Sequence, residues 1–409
     1  MKDASRGVAG VNQASRTAAA LSPVAPGLAA DAPKVGIVAG EASGDLLGSL
    51  LIKALQQAGL AAHFEGIAGP KMQGLGARSL FPMEALSVRG YVEALSGLRR
   101  ILAIRRQLVA QLCAKRPQLF IGVDAPDFNL GLEAKLKRRG IPTVHFVSPS
   151  IWAWRRGRIK KIRKAVSHML LIFPFEEAIY AQAGIPATYV GHPLAHALPE
   201  QPDRKAARER LGLRPNGEYV ALLPGSRQSE LNLMADTFIE TARQIHQRRG
   251  QVQFLIPLIT RETRLQFEQA IFRLQAHDLP IRILFGHAHD ALQAADAALI
   301  ASGTATLEAA LLKCPHVITY KVPWLTYQIM RRQAYLPYIG LPNIVAGRQI
   351  VPELIQKQAQ PEPLADAILT LLENRLARET MLDAFEAMRR SLRRDTPRLI
   401  AEALAHYLK

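Results

Sequence analysis

The stretch Lys34-Val35-Gly36-Ile37-Val38-Ala39-Gly40-Glu41-Ala42-Ser43-Gly44-Asp45 decides the fold. Residues 35–39 form an apolar run with the length of a buried strand and too short for a helix. A turn of glycine and small polar residues follows. Leu46, Leu47, Leu50, Leu51, Ala54 and Leu55 then recur with the period of an amphipathic helix. Strand, tight turn and helix in that order are the first part of a βαβ unit, and such units build parallel sheets covered on both faces.

Working outward, the same rhythm recurs. Residues 119–123 read as a strand ending at Asp124, 143–147 as one ending at Ser148-Pro149, and 169–173 as one ending at Pro174. Helical stretches such as 129–139 and 175–183 lie between them. A polar, proline-bearing stretch at 193–216 interrupts the pattern, which restarts with strands at 219–223, 254–256, 281–284 and 297–300. Residues 364–409 read as amphipathic helices. The expectation is an α/β protein of two doubly wound, Rossmann-like domains facing a cleft. Its divisions are a flexible tail at 1–33, an N-terminal domain at 34–200, a connector at 201–216, a C-terminal domain at 217–375, and closing helices at 376–409 that pack back on the first domain.

Composition bounds the function. The 409 residues leave room for two or three domains with sizeable cores. Two cysteines, Cys113 and Cys314, exclude a disulfide framework and a four-cysteine zinc site, and fit a reducing, cytoplasmic setting. No run of about 20 apolar residues is free of charge and proline, so no spanning helix is expected. Lysine plus arginine number 52 against 34 acidic residues, a net charge of +18 that favours an anionic partner: nucleic acid, a phosphorylated substrate or a lipid surface.

In doubly wound sheets, ligands bind beyond the carboxyl ends of the strands, and the unusual residues of this chain gather there. Gly40–Asp45 is neither a dinucleotide fingerprint nor a Walker A loop, and reads most simply as a tight turn with Ser43 or Asp45 capping the next helix. Asp124 ends a strand, where it is either a carboxylate presented to the cleft or a local turn residue; Asp127 reads as a cap. Ser148-Pro149-Ser150-Ile151-Trp152-Ala153-Trp154 precedes seven basic residues: Arg155, Arg156, Arg158, Lys160, Lys161, Arg163 and Lys164. Aromatics beside such a run suit a phosphate-bearing ligand, a membrane surface or stacked bases, against the plainer reading of a solvated basic helix.

In the second domain, Pro224-Gly225-Ser226-Arg227 follows a strand, with a hydroxyl and a guanidinium suited to phosphate. Ser302-Gly303-Thr304 opens a helix whose amides attract anions. Glu308, one turn in, is placed either to accept from ribose hydroxyls or to compensate the helix dipole. Two phosphate-suited loops in one domain favour a nucleotide diphosphate site. Residues 88–108 carry Val88, Tyr91, Val92, Leu95, Leu98, Ile101, Leu102 and Ile104 with Arg99, Arg100, Arg105 and Arg106 interleaved. Such a segment fits a membrane interface or an ordinary helix with its apolar face in the core. No metal-binding constellation and no GxSxG nucleophile motif emerges.

Eight stretches in order carry a resemblance: VAGEASGD (38–45), GIAGPKM (66–72), GVDAPDFN (122–129), VSPSIWAWR (147–155), GHP (191–193), LLPGSR (222–227), ASGTATLE (301–308) and LPNIVAGR (341–348). Over nearly all of residues 34–390 the chain resembles the lipid-A-disaccharide synthases, inverting glycosyltransferases of family 19 in bacterial lipopolysaccharide synthesis. The resemblance implies a glycosyltransferase-B fold without metal or other cofactor. It implies transfer of 2,3-diacylglucosamine from UDP-2,3-diacylglucosamine to 2,3-diacylglucosamine 1-phosphate, giving the β-1,6-linked disaccharide phosphate and UDP. It further implies Asp124 as general base, and Ser226, Arg227, Ser302, Gly303, Thr304, Glu308 and Asn343 in the UDP-binding motifs. Glu41, Ser43 and Asp45 match polar residues near the acceptor side. Peripheral attachment to the cytoplasmic surface of the inner membrane through the N-terminal domain is also implied; the residues expected to dock there are the 88–108 segment, with Arg99, Arg100, Arg105 and Arg106, and the 155–164 basic run. Exchange of C-terminal segments between two chains of the family makes a swapped homodimer compatible with it. The tail, the connector and residues 321–340 depart from the family pattern, so the contacts to uracil and acyl chains stay unassigned.

Rivals are another UDP-sugar enzyme of the same fold, such as a 2-epimerase or the undecaprenyl-linked transferase of peptidoglycan synthesis. The context of Asp124 and the SPSIWAWR run speak against both. A nucleic-acid-binding protein would need a reading module, and none is found, so no nucleic acid partner is expected.

Overall fold

The computed structural model describes residues 31–86, 94–153, 156–333 and 335–408. The tail expected at 1–33 lies outside them up to residue 30, as do Val88, Tyr91, Val92, Trp154 and Arg155.

Two parallel sheets form the two lobes, as the alternation of short strands and helices requires. The first holds β1 (Lys34–Ala39), β2 (His63–Ile67), β3 (Arg78–Ser79), β4 (Leu119–Val123), β5 (Thr143–Phe146), β6 (His168–Leu171) and β7 (Ala187–Tyr189), in the order β3-β2-β1-β4-β5-β6-β7. The second holds β8 (Glu218–Leu223), β9 (Val252–Leu258), β10 (Ile281–Phe285), β11 (Ala297–Ala301), β12 (His316–Tyr320) and β13 (Glu353–Ile355), in the order β10-β9-β8-β11-β12-β13. The central strands are buried along their whole length, because helices cover both faces and leave no polar alternation.

Around the first sheet lie α1 (Ala42–Gln57), α2 (Pro70–Gln73), α3 (Ala94–Lys115), α4 (Pro126–Lys137), α5 (Ile159–Ala165), α6 (Glu176–Gln182) and α7 (Pro193–Ala197). The stretch read as a connector contains α8 (Arg204–Arg210). Around the second sheet lie α9 (Gln228–Arg248), α10 (Arg261–Arg273), α11 (Ala288–Ala294), α12 (Thr304–Leu311), α13 (Trp324–Gln333), α14 (Leu341–Ala346) and α15 (Pro361–Glu373). Two further helices, α16 (Arg375–Leu392) and α17 (Thr396–Leu408), close the chain.

Strand order reverses between β1 and β4 in one lobe and between β8 and β11 in the other. At such switch points the flanking loops leave in opposite directions and open a crevice. Register makes both crevices level: Ala39 pairs with Val123, and Leu223 with Ile300. The glycine turn, Asp124, the Pro224–Arg227 loop and the start of α12 therefore lie at crevice mouths.

The closing helices return to the first lobe. α17 packs on α1. The His192 amide donates to Leu392 O at 2.9 Å, and Tyr189 OH to Ser391 O at 2.7 Å. Arg389, buried in α16, donates to the carbonyls of Ala195, Leu198, Pro199 and Leu311, which ties both lobes to one guanidinium. His192 beside it is held neutral by burial, its pKa lowered to about 4.

Candidate active site

Asp124 follows β4 in the left-handed region, φ 50°, and Ala125 does the same at φ 45°. Two successive non-glycine residues there are strained, so something must hold them. The Asp124 amide donates to Phe146 O at 2.9 Å, and Asn129 Nδ2 on α4 donates to Asp124 O at 2.8 Å. Beneath lies a fully buried pair, His145 Nδ1 and Glu133 Oε1, 2.6 Å apart. The Asp124 carboxylate is thereby left to the wall of a cavity of about 350 Å³, shared with Val147, Ser148, Ser150 and Arg158. Among the described residues that carboxylate has no hydrogen-bonding or ionic partner. Asp127 is not the cap expected of it: Ala125 holds the N-cap position of α4, and Asp127 pairs with Arg158 at 2.6 Å.

The glycine turn lies against this loop. A Cβ on Gly40 would come within 2.7 Å of the Ala125 Cβ, so only glycine lets the two loops approach. Glu41 and Ser43 are exposed there. Asp45 corrects one expectation: it does not cap its own helix, whose N-cap is Glu41. It is buried, and its two oxygens accept from the amides of Lys71 (2.9 Å) and Met72 (3.0 Å) at the start of α2. Its chemistry is to satisfy orphan helix amides, which makes it a positioning residue.

Trp152 is likewise interior. It meets Phe173 and Phe175 edge-on and donates from Nε1 to Glu176 Oε1 at 3.1 Å. Glu176 also accepts from the Phe173 amide at 3.1 Å, and burial raises its carboxyl to about 7 against the pull of those bonds. Ser148 shares a 2.7 Å hydrogen bond with Tyr180 OH. The loop walling the Asp124 cavity is thus anchored from behind.

In the second lobe, Ser226 and Arg227 are exposed after β8. The amides of both donate to Glu230 Oε2, at 2.8 and 3.3 Å. Those two amides are already satisfied, so the loop offers a phosphate the Ser226 hydroxyl and the Arg227 guanidinium. Gly303 and Thr304 are exposed at the start of α12, and Ser302 Oγ donates to Ile339 O at 3.4 Å. Glu308 lies beyond the first turn, where dipole compensation does not reach, and its Oε2 accepts from His289 Nε2 at 3.2 Å. That bond, foremost, raises the pKa of His289.

Asn343 is the clearest correction. It is fully buried and both polar atoms of its side chain are used inside the protein. Nδ2 donates to Val351 O (2.8 Å) and Glu353 Oε1 (2.7 Å), and Oδ1 accepts from the amides of Ile350 (2.7 Å) and Val351 (2.9 Å). Glu353 in turn holds the amides of Ile339 and Gly340. Asn343 therefore shapes the loop beside Ser302, and its side chain has no polar atom left for a nucleotide.

The membrane reading of residues 88–108 is corrected in part. Ile104 and Leu108 of α3 are buried in the core, so that part of its apolar face is taken. Arg105 lies across Gly131 of α4 with its Nε buried. Arg99, Arg100, Leu102 and Arg106 are exposed. Of the basic run, Arg158 is tied to Asp127, while Lys160, Lys161, Arg163 and Lys164 are exposed on and beside α5.

Sequence reasoning missed Asn129, Glu133, His145, Glu176, Glu230 and His289. The signal for the first two was present: Asn129 and Glu133, four apart, are polar residues among the buried Leu130, Leu132 and Leu136 of α4.

Comparison with known proteins gives three results. The family model described as Lipid-A-disaccharide synthetase matches residues 35–405. The lipid-A-disaccharide synthase of Methylobacillus flagellatus is 56% identical over 377 residues, covering 92% of this chain and 100% of that protein. That of Dechloromonas aromatica is 55% identical over 378 residues, covering 92% and 99%. Among solved structures, the UDP-GlcNAc 2-epimerase from Neisseria meningitidis bound to UDP-GlcNAc superposes with a TM-score of 0.64 at 12% identity, covering 91% of this chain and 100% of that one. MurG of Acinetobacter baumannii does so with a TM-score of 0.52 at 16% identity, covering 91% and 100%. At such low identity these two structures speak for the fold alone.

Proposed function

The chain belongs to the lipid-A-disaccharide synthase family, and from that premise we propose roles for the residues at its two crevices. It is a glycosyltransferase of the glycosyltransferase-B fold. It transfers 2,3-diacylglucosamine from its UDP carrier to 2,3-diacylglucosamine 1-phosphate, forming the lipid A disaccharide phosphate and UDP.

Asp124 is the general base. The acceptor 6-hydroxyl attacks the anomeric carbon from the face opposite UDP; its proton passes to the Asp124 carboxylate as the new C–O bond forms and the bond to the β-phosphate breaks. The observation that carries this is a carboxylate on a cavity wall, without a partner among the described residues and held by a strained turn beside the switch point. Charge grows on the departing UDP, and Arg227, Ser226 and the free amides of Gly303 and Thr304 are placed to stabilise it. Glu308 accepts from the ribose hydroxyls. Glu41 and Ser43 bind on the acceptor side, with Asp45 holding α2 behind them. The test is Asp124→Asn, which is expected to lower turnover by ~10²–10⁴-fold with UDP affinity retained; near-normal turnover refutes the assignment.

Both substrates are acylated, so the reaction belongs at a bilayer surface. Among the described residues no helix is long and apolar enough to cross a membrane. Arg99, Arg100 and Arg106, with Lys160, Lys161, Arg163 and Lys164, supply a basic face for the anionic cytoplasmic leaflet of the inner membrane, at roughly 1 kcal/mol per residue. A homodimer by C-terminal exchange would form the α17–α1 contact between two chains, and light scattering decides between the two arrangements.

A further inference from the structure

One apolar surface belongs to neither crevice. α13 leaves most of its side chains exposed on the second lobe, with Trp324 71% exposed, Leu325 66%, Ile329 50% and Met330 50%. Of the side chains described on this helix, only Tyr327 and Gln328 are half-buried. An ordinary surface helix buries an apolar stripe and turns its polar face to water, and this one does not. Contiguous exposed apolar surface of this kind marks a site of contact. Its charge says with what: the helix carries Arg331 and Arg332 and no carboxylate.

Its position says where. Just beyond α13, the Tyr335 amide donates to Ala153 O at 3.2 Å, and the Arg156 guanidinium lies 3.9 Å above the Tyr335 ring. Ala153 closes the loop whose earlier residues wall the Asp124 cavity. The exposed helix of one lobe thus reaches the catalytic loop of the other, on the side where the basic run begins.

We propose that α13 is a second membrane contact, contributed by the C-terminal lobe. Trp324, Leu325, Ile329 and Met330 enter the boundary between head groups and acyl chains of an anionic bilayer, and Arg331 and Arg332 meet its phosphates. This rests on the reading above that the enzyme works at a bilayer, and adds that both lobes touch it. The mouth of the cleft then opens onto lipid, and acylated sugars enter without their chains crossing water.

The test uses the full chain and vesicles of phosphatidylcholine with phosphatidylglycerol, some with brominated acyl chains. The variant Leu325→Ser/Ile329→Ser/Met330→Ser changes only exposed side chains. It is expected to weaken vesicle binding by at least roughly tenfold while turnover of detergent-dispersed substrate stays unchanged. Bromine is expected to quench wild-type emission, and Trp324→Phe to remove most of that quenching. Arg331→Glu/Arg332→Glu is expected to weaken binding to anionic vesicles and leave neutral ones unaffected. Wild-type protein that binds vesicles, with an equally tight triple variant and unquenched Trp324, overturns the role of α13 and leaves the bilayer reading standing. Wild-type protein that ignores vesicles overturns both. A triple variant that changes oligomeric state but not vesicle affinity makes the patch a contact between copies and overturns the proposal.

Discussion

In the N-terminal lobe the chain turns at the switch point through Asp124 and Ala125, with φ of 50° and 45°. In the C-terminal lobe the equivalent loops turn through Gly225 and Gly303, with φ of 131° and 151°. The glycines adopt such angles freely, whereas two side-chain-bearing residues hold ~1–2 kcal/mol of strain each. The first lobe offsets that strain with a buried polar cluster behind its loop. The second lets its loops lie more open: Glu230 holds two amides of one, and a single 3.4 Å bond from Ser302 steadies the other. The difference matches the two tasks. A base must be aimed at one proton, and a misplacement of about 1 Å is ruinous to rate. A diphosphate can be gathered by exposed donors that adjust.

The contrast is broken most directly at Asn129. Asn129→Ala removes the donor to Asp124 O and frees the turn to relax. Turnover is expected to fall by about 100-fold with the KM for the UDP-sugar within about twofold, because aim is lost and binding is not. Equal losses in both parameters, with native circular dichroism, would show that the buried cluster merely supports the fold.

The opposite signature belongs to the open lobe. Arg227→Lys keeps the charge and loses the planar fork that pairs two oxygens. The KM for the donor is expected to rise about tenfold, with a smaller change in turnover. A pure loss of turnover would mean that Arg227 acts only on the departing charge, and that this lobe too is built for aim.

How much of this could be read from the sequence follows from the same physics. Unbroken runs such as Leu119–Val123 and Ala297–Ala301 declare themselves because both faces of the sheet are covered. β2, with His63 and Glu65 in it, and the two-residue β3 do not, since strands toward an edge keep polar residues. The residues at 88–108 had two readings; Ile104, Leu108 and Leu112 enter one core cluster, as an ordinary helix requires, while Leu102 stays exposed among the arginines. Site motifs were legible as motifs, but not which way each side chain turns. Asn343 and Asp45 carry the same polar chemistry as a ligand-binding residue. What separates them is a set of backbone amides brought to them by tertiary structure: Ile350 and Val351 for one, Lys71 and Met72 for the other. α13 escaped for the converse reason, since its apolar residues resemble a core helix until the fold leaves them outside.

The smallest effect tests how adjustable the open lobe is. Glu308 shares its carboxylate with His289, which is half exposed, so the pair is screened and contributes roughly 0.2–1 kcal/mol. The sign follows from the raised pKa of His289. The protonated form binds Glu308 in the folded state, so the stabilisation is fully present below the unfolded value of 6.5 and disappears as pH rises through the raised folded value. Over that window Glu308 passes from a carboxylate held by a cation to one free to accept from ribose hydroxyls. The KM for the donor should therefore fall by about two- to threefold with rising pH, and His289→Gln should flatten that dependence while leaving turnover at alkaline pH unchanged. A wild-type KM that ignores pH here would mean the ribose does not depend on Glu308, and the open lobe would hold its nucleotide by the phosphates alone.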